Sequence, residues 1–175
     1  HTRYWRDWSS DVCSSDLEAR AAERLDALAG VSLQVARPLA ERALELVVGS
    51  ERPTRHQLLK RAVAVLARDE AGRAALLPLL APDTPRRARY EAALALAGTA
   101  PEASDALVTL HEEVDRVLQL RGVRALARQA SPSVDAFLER LQAGDGPFEV
   151  RTAALEALAA HGQVGALARA LEQED

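Results

Sequence analysis

The residues with the clearest chemical potential form a series of acids and arginines at near-constant spacing. Asp83-Thr84-Pro85 precedes Arg89 and Asp145-Gly146-Pro147 precedes Arg151, giving D-x-P-x-x-x-R twice. Asp115 stands in the same relation to Arg121, without the proline. Arg61 extends the series upstream, where Arg55 occupies the acid position. Taken from Arg61 through Arg89 and Arg121 to Arg151, the steps are 28, 32 and 30 residues. A guanidinium offers several donors in one plane, so it suits either a bond to a turn carboxylate or to backbone carbonyls. Asp83, Arg89, Asp115, Arg121, Asp145 and Arg151 therefore read as a structural ladder fixing how neighbouring segments stack. The alternative is an anion-binding row, which the accompanying acids would largely neutralise.

Other reactive side chains do not assemble into a site. His111-Glu112-Glu113-Val114-Asp115 is the densest acidic cluster, yet no second His lies one helical turn away, as a paired-histidine zinc motif requires. It reads as a solvated turn. His56 and His161 are isolated and read as surface or helix-end residues, His161 near a C-terminus where a cation favours the helix dipole. The few Ser and Thr fall at caps and loops, with no G-x-S-x-G. These observations favour no catalytic residue, no metal and no cofactor.

Residues 1–17 stand apart. They hold Trp5, Trp8, the single Cys13 and a Ser/Asp cluster without helical period. The run from Asp7 to Leu17 resembles a reading-frame translation of a synthetic sequencing adaptor, so a non-native, disordered or irregular segment is expected there. Residues 18–175 are then the repeat domain, expected to be a fragment of a longer protein whose true N-terminus is missing. Setting aside Arg3, Arg6, Asp7, Asp11 and Asp16 from 22 basic and 26 acidic residues leaves 20 and 23, a net of −3. Mixed signs with a slight acidic excess describe a solvated helical surface, not a nucleic-acid footprint. No apolar run approaches the roughly 18 residues that span a bilayer. With Ala, Leu and Val dominating and no Cys after residue 17, disulfides and thiolate metal sites are excluded from this part.

The elements that must position the ladder are helices. Apolar periodicity and punctuation predict helices over 18–29, 33–48, 54–69, 71–81, 85–98, 102–112, 114–130, 133–143, 148–161 and 163–174, with Pro38 starting or kinking the second. Thr54 with Gln57 and Thr99 with Glu102 have capping-box spacing. Pro85, Pro132 and Pro147 suit first-turn positions. Gly98 and Gly162 suit the left-handed position beyond a helix end. No segment alternates with period two, so no sheet is expected. The helices pair as hairpins: 33–48 with 54–69, 71–81 with 85–98, 102–112 with 114–130, and 133–143 with 148–161. Helix 18–29 is a second helix without its partner, and 163–174 is a first helix or a polar cap ending in Glu172-Gln173-Glu174-Asp175. Leu94 and Leu96 act as knobs among small Ala92, Ala93, Ala95 and Ala97, and Leu155 is expected in the core.

Val150-Arg151-Thr152-Ala153-Ala154-Leu155-Glu156-Ala157-Leu158, running on to Gly162, resembles the HEAT repeat family, in particular its short bacterial, phycobilisome-lyase-like form. Residues 83–98 resemble it next best, whereas 115–130 lacks the proline and carries Arg124 where a small residue is usual. The resemblance implies an all-α, right-handed α-α superhelix of antiparallel hairpins, with the Arg-bearing second helices lining a concave face. Within that family, di-iron hydroxylases carry repeated His-Glu pairs, of which this chain has one. Related DNA glycosylases use an electropositive cleft with aromatics, whereas here basic residues cluster only at Arg52–Lys60 and Arg86–Arg89. The resulting expectation is a non-catalytic, cytoplasmic scaffolding module that binds another protein along its groove and binds no nucleic acid. Arg87, Glu91, Arg128 and Glu156 are the expected solvent-facing contacts. A phycobilin-lyase-like subunit, or a regulatory spacer in a larger signalling protein, are the alternatives.

Overall fold

A computed structural model describes the backbone of residues 2–172 and the side chains of 16–163, 165, 168, 169, 171 and 172. Among these the chain is all-helical, with no strand. The helices are α1 (Thr2–Val31), α2 (Leu33–Val47), α3 (Pro53–Leu66), α4 (Glu70–Leu76), α5 (Arg86–Leu96), α6 (Pro101–Thr109), α7 (Arg116–Leu126), α8 (Pro132–Ala143), α9 (Phe148–Ala160) and α10 (Val164–Glu172). Short 3-10 turns follow α4 at Leu77–Leu80 and α6 at His111–Glu113. Helix α1 runs unbroken from Thr2 and so takes in nearly all of residues 1–17. That segment contains neither Gly nor Pro. Its Ser and Asp are mediocre helix formers costing only about 0.5 kcal/mol each, too little to break a helix. Of the polar end Glu172–Asp175, the last three residues lie outside those described.

Helix ends follow local chemistry, though not always the chemistry anticipated. Asp69, Asp115 and Ser131 cap α4, α7 and α8 by accepting from the amides of Gly72, Leu118 and Val134. Gly98 and Gly162 take positive φ, 86° and 78°. The two capping boxes do not form. Arg52 is the N-cap of α3 with Pro53 in the first turn, and Thr54 instead bonds Glu18. Thr99 donates its hydroxyl back to the Leu96 carbonyl at 2.8 Å, leaving Ala100 as the N-cap of α6. In both places the Pro after the N-cap fixes the helix start, which leaves Thr54 two residues past the cap position and Thr99 one residue before it. Pro38 lies inside α2.

The chain divides into two compact units between Glu91 and Ala92, within α5. In the first, α2 and α3 form a hairpin and α1 packs on both. Ala36, Ala40, Leu59, Ala62 and Leu66 are almost wholly buried between them. Small alanines let the helix axes approach while leucines fill the gaps. Three links join α1 to α3: Glu18 to Arg55 at 2.8 Å, Asp26 to Arg61 at 2.7 Å, and the Ala29 carbonyl to Arg68 at 3.2 Å. Both partners advance together along their helices, so α1 and α3 run parallel.

The second unit repeats the pattern. Helix α8 forms a hairpin with α9, and α6 touches α7. Between the hairpins, first helix meets first helix (α6 on α8) and second meets second (α7 on α9). Arg116 pairs with Glu149 near the start of α7 and α9, and His161 reaches Leu126 near their ends. These helices are therefore also parallel. Val123, Leu126, Val134, Leu138, Ala154 and Leu158 are buried here, whereas Leu155, expected in the core, is half-buried. Leu158, three residues on, takes the inward place.

Candidate functional site

Two of the repeated arginines, Arg89 and Arg151, bind carbonyls at or just past the end of the preceding helix. Arg89 Nε donates to the Leu80 carbonyl at 3.0 Å, and Arg151 Nε donates to the Gln142 carbonyl at 3.2 Å. Both acceptors lie nine residues upstream, at the C-terminal end of the first helix of the same hairpin. Gln119 does the equivalent from α7, its amide reaching the His111 carbonyl at 3.0 Å. The last turn of a helix leaves carbonyls without intrahelical partners, so a side chain from the returning helix satisfies one and fixes the hairpin. Of the three acids, Asp115 is the N-cap of α7. Asp83 and Asp145 are exposed in the turns before α5 and α9. Arg121 is half-buried on α7.

A second tier of bonds, which sequence reasoning missed, joins the ends of successive second helices. Arg68 after α3 bonds the Ala29 carbonyl in the last turn of α1. Arg128 after α7 bonds the Leu94 carbonyl in the last turn of α5 at 2.7 Å. His161 at the end of α9 bonds the Leu126 carbonyl, the last residue of α7, at 2.9 Å. A positive or donor group there complements both the free carbonyls and the negative helix end. The spacing carried a signal: Arg68 and Arg128 each lie seven residues after the repeat arginine.

His161 is thus neither surface nor isolated. Its side chain is 2% exposed, with Nδ1 at 2.6 Å from Asp135 Oδ1, and Gln163 donates to the other Asp135 oxygen at 3.1 Å. Nδ1 thus faces a carboxylate oxygen and Nε2 the Leu126 carbonyl. His111 is buried as well, packed edge-on against Phe137 with centroids 5.2 Å apart, while Arg140 sits over the same ring. Burial holds the His111 imidazole below its usual pKa, with Glu112 pulling weakly the other way. Only the acids of that turn, Glu112 and Glu113, are exposed. His56 is half-buried in α3, and its Nε2 is buried without a hydrogen-bond partner among the described residues.

The four expected contact residues separate. Glu91 is buried, at 2% exposure, with Arg87 at 3.6 Å, and so does not face solvent. It stands on α5 between Tyr90 and Ala92-Ala93, and the small alanines that follow give little contrast between faces. Arg128 is exposed but committed through Nη2 to Leu94. Glu156 is exposed on α9. Arg121, Arg124 and Arg128 come together with Leu94 and Ala125 around an open groove of about 320 Å³. A smaller one of about 210 Å³ is lined by His111, Gln119, Arg140 and Val150 among others.

Among the described residues no group of three or more His, Cys, Asp or Glu side chains is placed to hold a metal ion. None of their helices is long and apolar enough to cross a membrane. Comparison with protein-family models, with curated proteins and with solved structures found no match.

Proposed function

We propose that this chain is a HEAT-like helical-repeat module whose hairpins continue one superhelical stack, and that it acts without catalysis by holding a protein partner along the second helices. One observation carries the reading. Second helices lie parallel, α1 beside α3 and α7 beside α9, each pair tied end to carbonyl by a basic side chain. Parallel neighbours separated by an antiparallel return are the geometry by which a helical-hairpin repeat presents one continuous face. Such a face gains affinity from many modest contacts on a preformed surface.

The test is site-specific photo-crosslinking in the cell of origin. Probes at Glu156 and Arg124, exposed on second helices, should give one saturable protein adduct, while probes at Arg42 and Glu139 on first helices should not. Adducts only at the first-helix positions, or bilin transfer to an acceptor by the purified chain, would overturn the reading.

A further inference from the structure

Helix α7 and its exit form an acid-free basic stretch, as do residues 52–68 earlier in the chain, whose Arg55, Arg61 and Arg68 are all bonded to α1. Residues 116–134 hold four arginines and no acid, in a chain whose net charge is −4. Arg116 is paired with Glu149, toward the start of the helix. Arg121 and Arg124 lie at i and i+3 on one face of α7, and Arg128 follows four residues later in the turn beyond it. They line the 320 Å³ groove, whose apolar surface comes from Leu94 and Ala125.

The three are not equivalent. Arg128 is held in place, with Nη2 on the Leu94 carbonyl at 2.7 Å and Nε near the Ala125 carbonyl at 3.4 Å. Its Nη1 takes no part in either bond. Gly98 makes this seat possible: a Cβ there would stand 2.9 Å from the Arg128 Cβ. Arg124 is exposed, and its guanidinium bonds nothing among the described residues. Arg124 is thus an uncommitted cation beside an apolar strip, and a ligand carrying carboxylates supplies its partner.

We infer that this face binds an extended acidic peptide segment of the protein partner, an inference that rests on the scaffold reading above. Arg128 lies two residues past the end of α7; at the helical rise of 1.5 Å per residue it stands about 6 Å beyond Arg124. Alternate side chains of an extended peptide are about 7 Å apart on one side. Carboxylates at alternate positions therefore meet successive arginines, two-pronged at Arg124 and through the remaining Nη1 at Arg128. Leu94 and Ala125 accept the aliphatic part of the peptide. Nucleic acid fits less well, since a phosphate backbone extends far beyond three arginines and meets a net acidic protein.

The probe is a short fluorescent peptide with Glu and Asp at alternate positions and Val between, titrated into the full chain by anisotropy. Its neutral Gln/Asn counterpart and a single-stranded oligonucleotide of equal length are titrated alongside. The acidic peptide should bind tightest, and more weakly as salt rises. R124E should weaken it about ten-fold, a change of about 1.4 kcal/mol, with thermal melting unchanged. The same charge reversal at another exposed site, R42E, should stay within about two-fold. No binding, equal binding of the neutral peptide, equal losses for R124E and R42E, or tighter binding of the oligonucleotide would each overturn the inference. If R124E leaves the adduct formed through Glu156 intact, this patch is excluded while the scaffold reading stands. If no adduct forms yet the peptide still binds through Arg124, the scaffold reading falls alone.

Discussion

Helices α3 and α7 occupy the same place in their units, and each is followed by an arginine that reaches back to an earlier helix. Arg68 takes the Ala29 carbonyl and Arg128 the Leu94 carbonyl. What their own ends receive differs. The end of α3 is closed locally: Asp69 caps α4, Arg73 bonds the Ala67 carbonyl at 3.1 Å, and Gly72 lies against the Leu66 backbone. The end of α7 is closed from a distance, by His161 of the next hairpin, 35 residues on. One closure depends on the absence of a side chain and the other on the presence of a particular one. The two ends should therefore fail in different ways.

The largest effect is expected at Gly72. A Cβ there would stand 2.0 Å from the Leu66 carbonyl oxygen, and backbone at the end of a packed helix cannot yield as a side-chain tip can. Gly72→Ala should cost about 3 kcal/mol or more, the upper end of overpacking costs. Urea unfolding reads this directly. A loss under about 1 kcal/mol would mean that α4 can step away from α3, and the local closure would lose its basis.

Next comes the distant closure. His161→Ala leaves Asp135 Oδ1 and one lone pair of the Leu126 carbonyl unpaired in a buried place, a loss of about 2–3 kcal/mol. Arg68→Ala removes an exposed arginine from a site water can reach, and should cost about 1 kcal/mol. Equal losses would erase the distinction between the two ends. A larger loss for Arg68 would reverse it.

The sequence displayed the helices well because their ends are marked by residue type: Pro at starts, Gly at left-handed exits, Asp at caps. Capping boxes misled because Pro53 and Pro101 set the helix starts and left Thr54 and Thr99 off the cap position. The recurrence of Arg89 and Arg151 is visible, but their acceptors are backbone carbonyls, which leave no residue type to read. The same holds for Arg68 and Arg128, and more so for His161, whose partners lie 26 and 35 residues away. Glu91 went astray for another reason. On a helix of alanines no apolar stripe says which face is inside, and burial follows from what packs there. Gly72 gave no signal, since a close backbone approach is a property of two segments, and neither shows it alone.

The smallest effect separates the two buried histidines of the second unit. His161 is surrounded by acceptors, whereas His111 meets an aromatic edge and is held below the ordinary imidazole pKa by burial. For a His whose folded pKa is lowered, the unfolded chain binds the proton more readily. Stability is then unaffected well above the unfolded pKa, about 6.5, and declines as pH falls below it. Urea midpoints should drop between pH 7.5 and 5.5, above the range in which the lowered Glu18 and Glu149 carboxylates titrate. His111→Phe keeps an aromatic edge against Phe137 and should flatten that stretch of the profile. An unchanged slope would assign the loss to another group and place His111 outside the pH response of this unit.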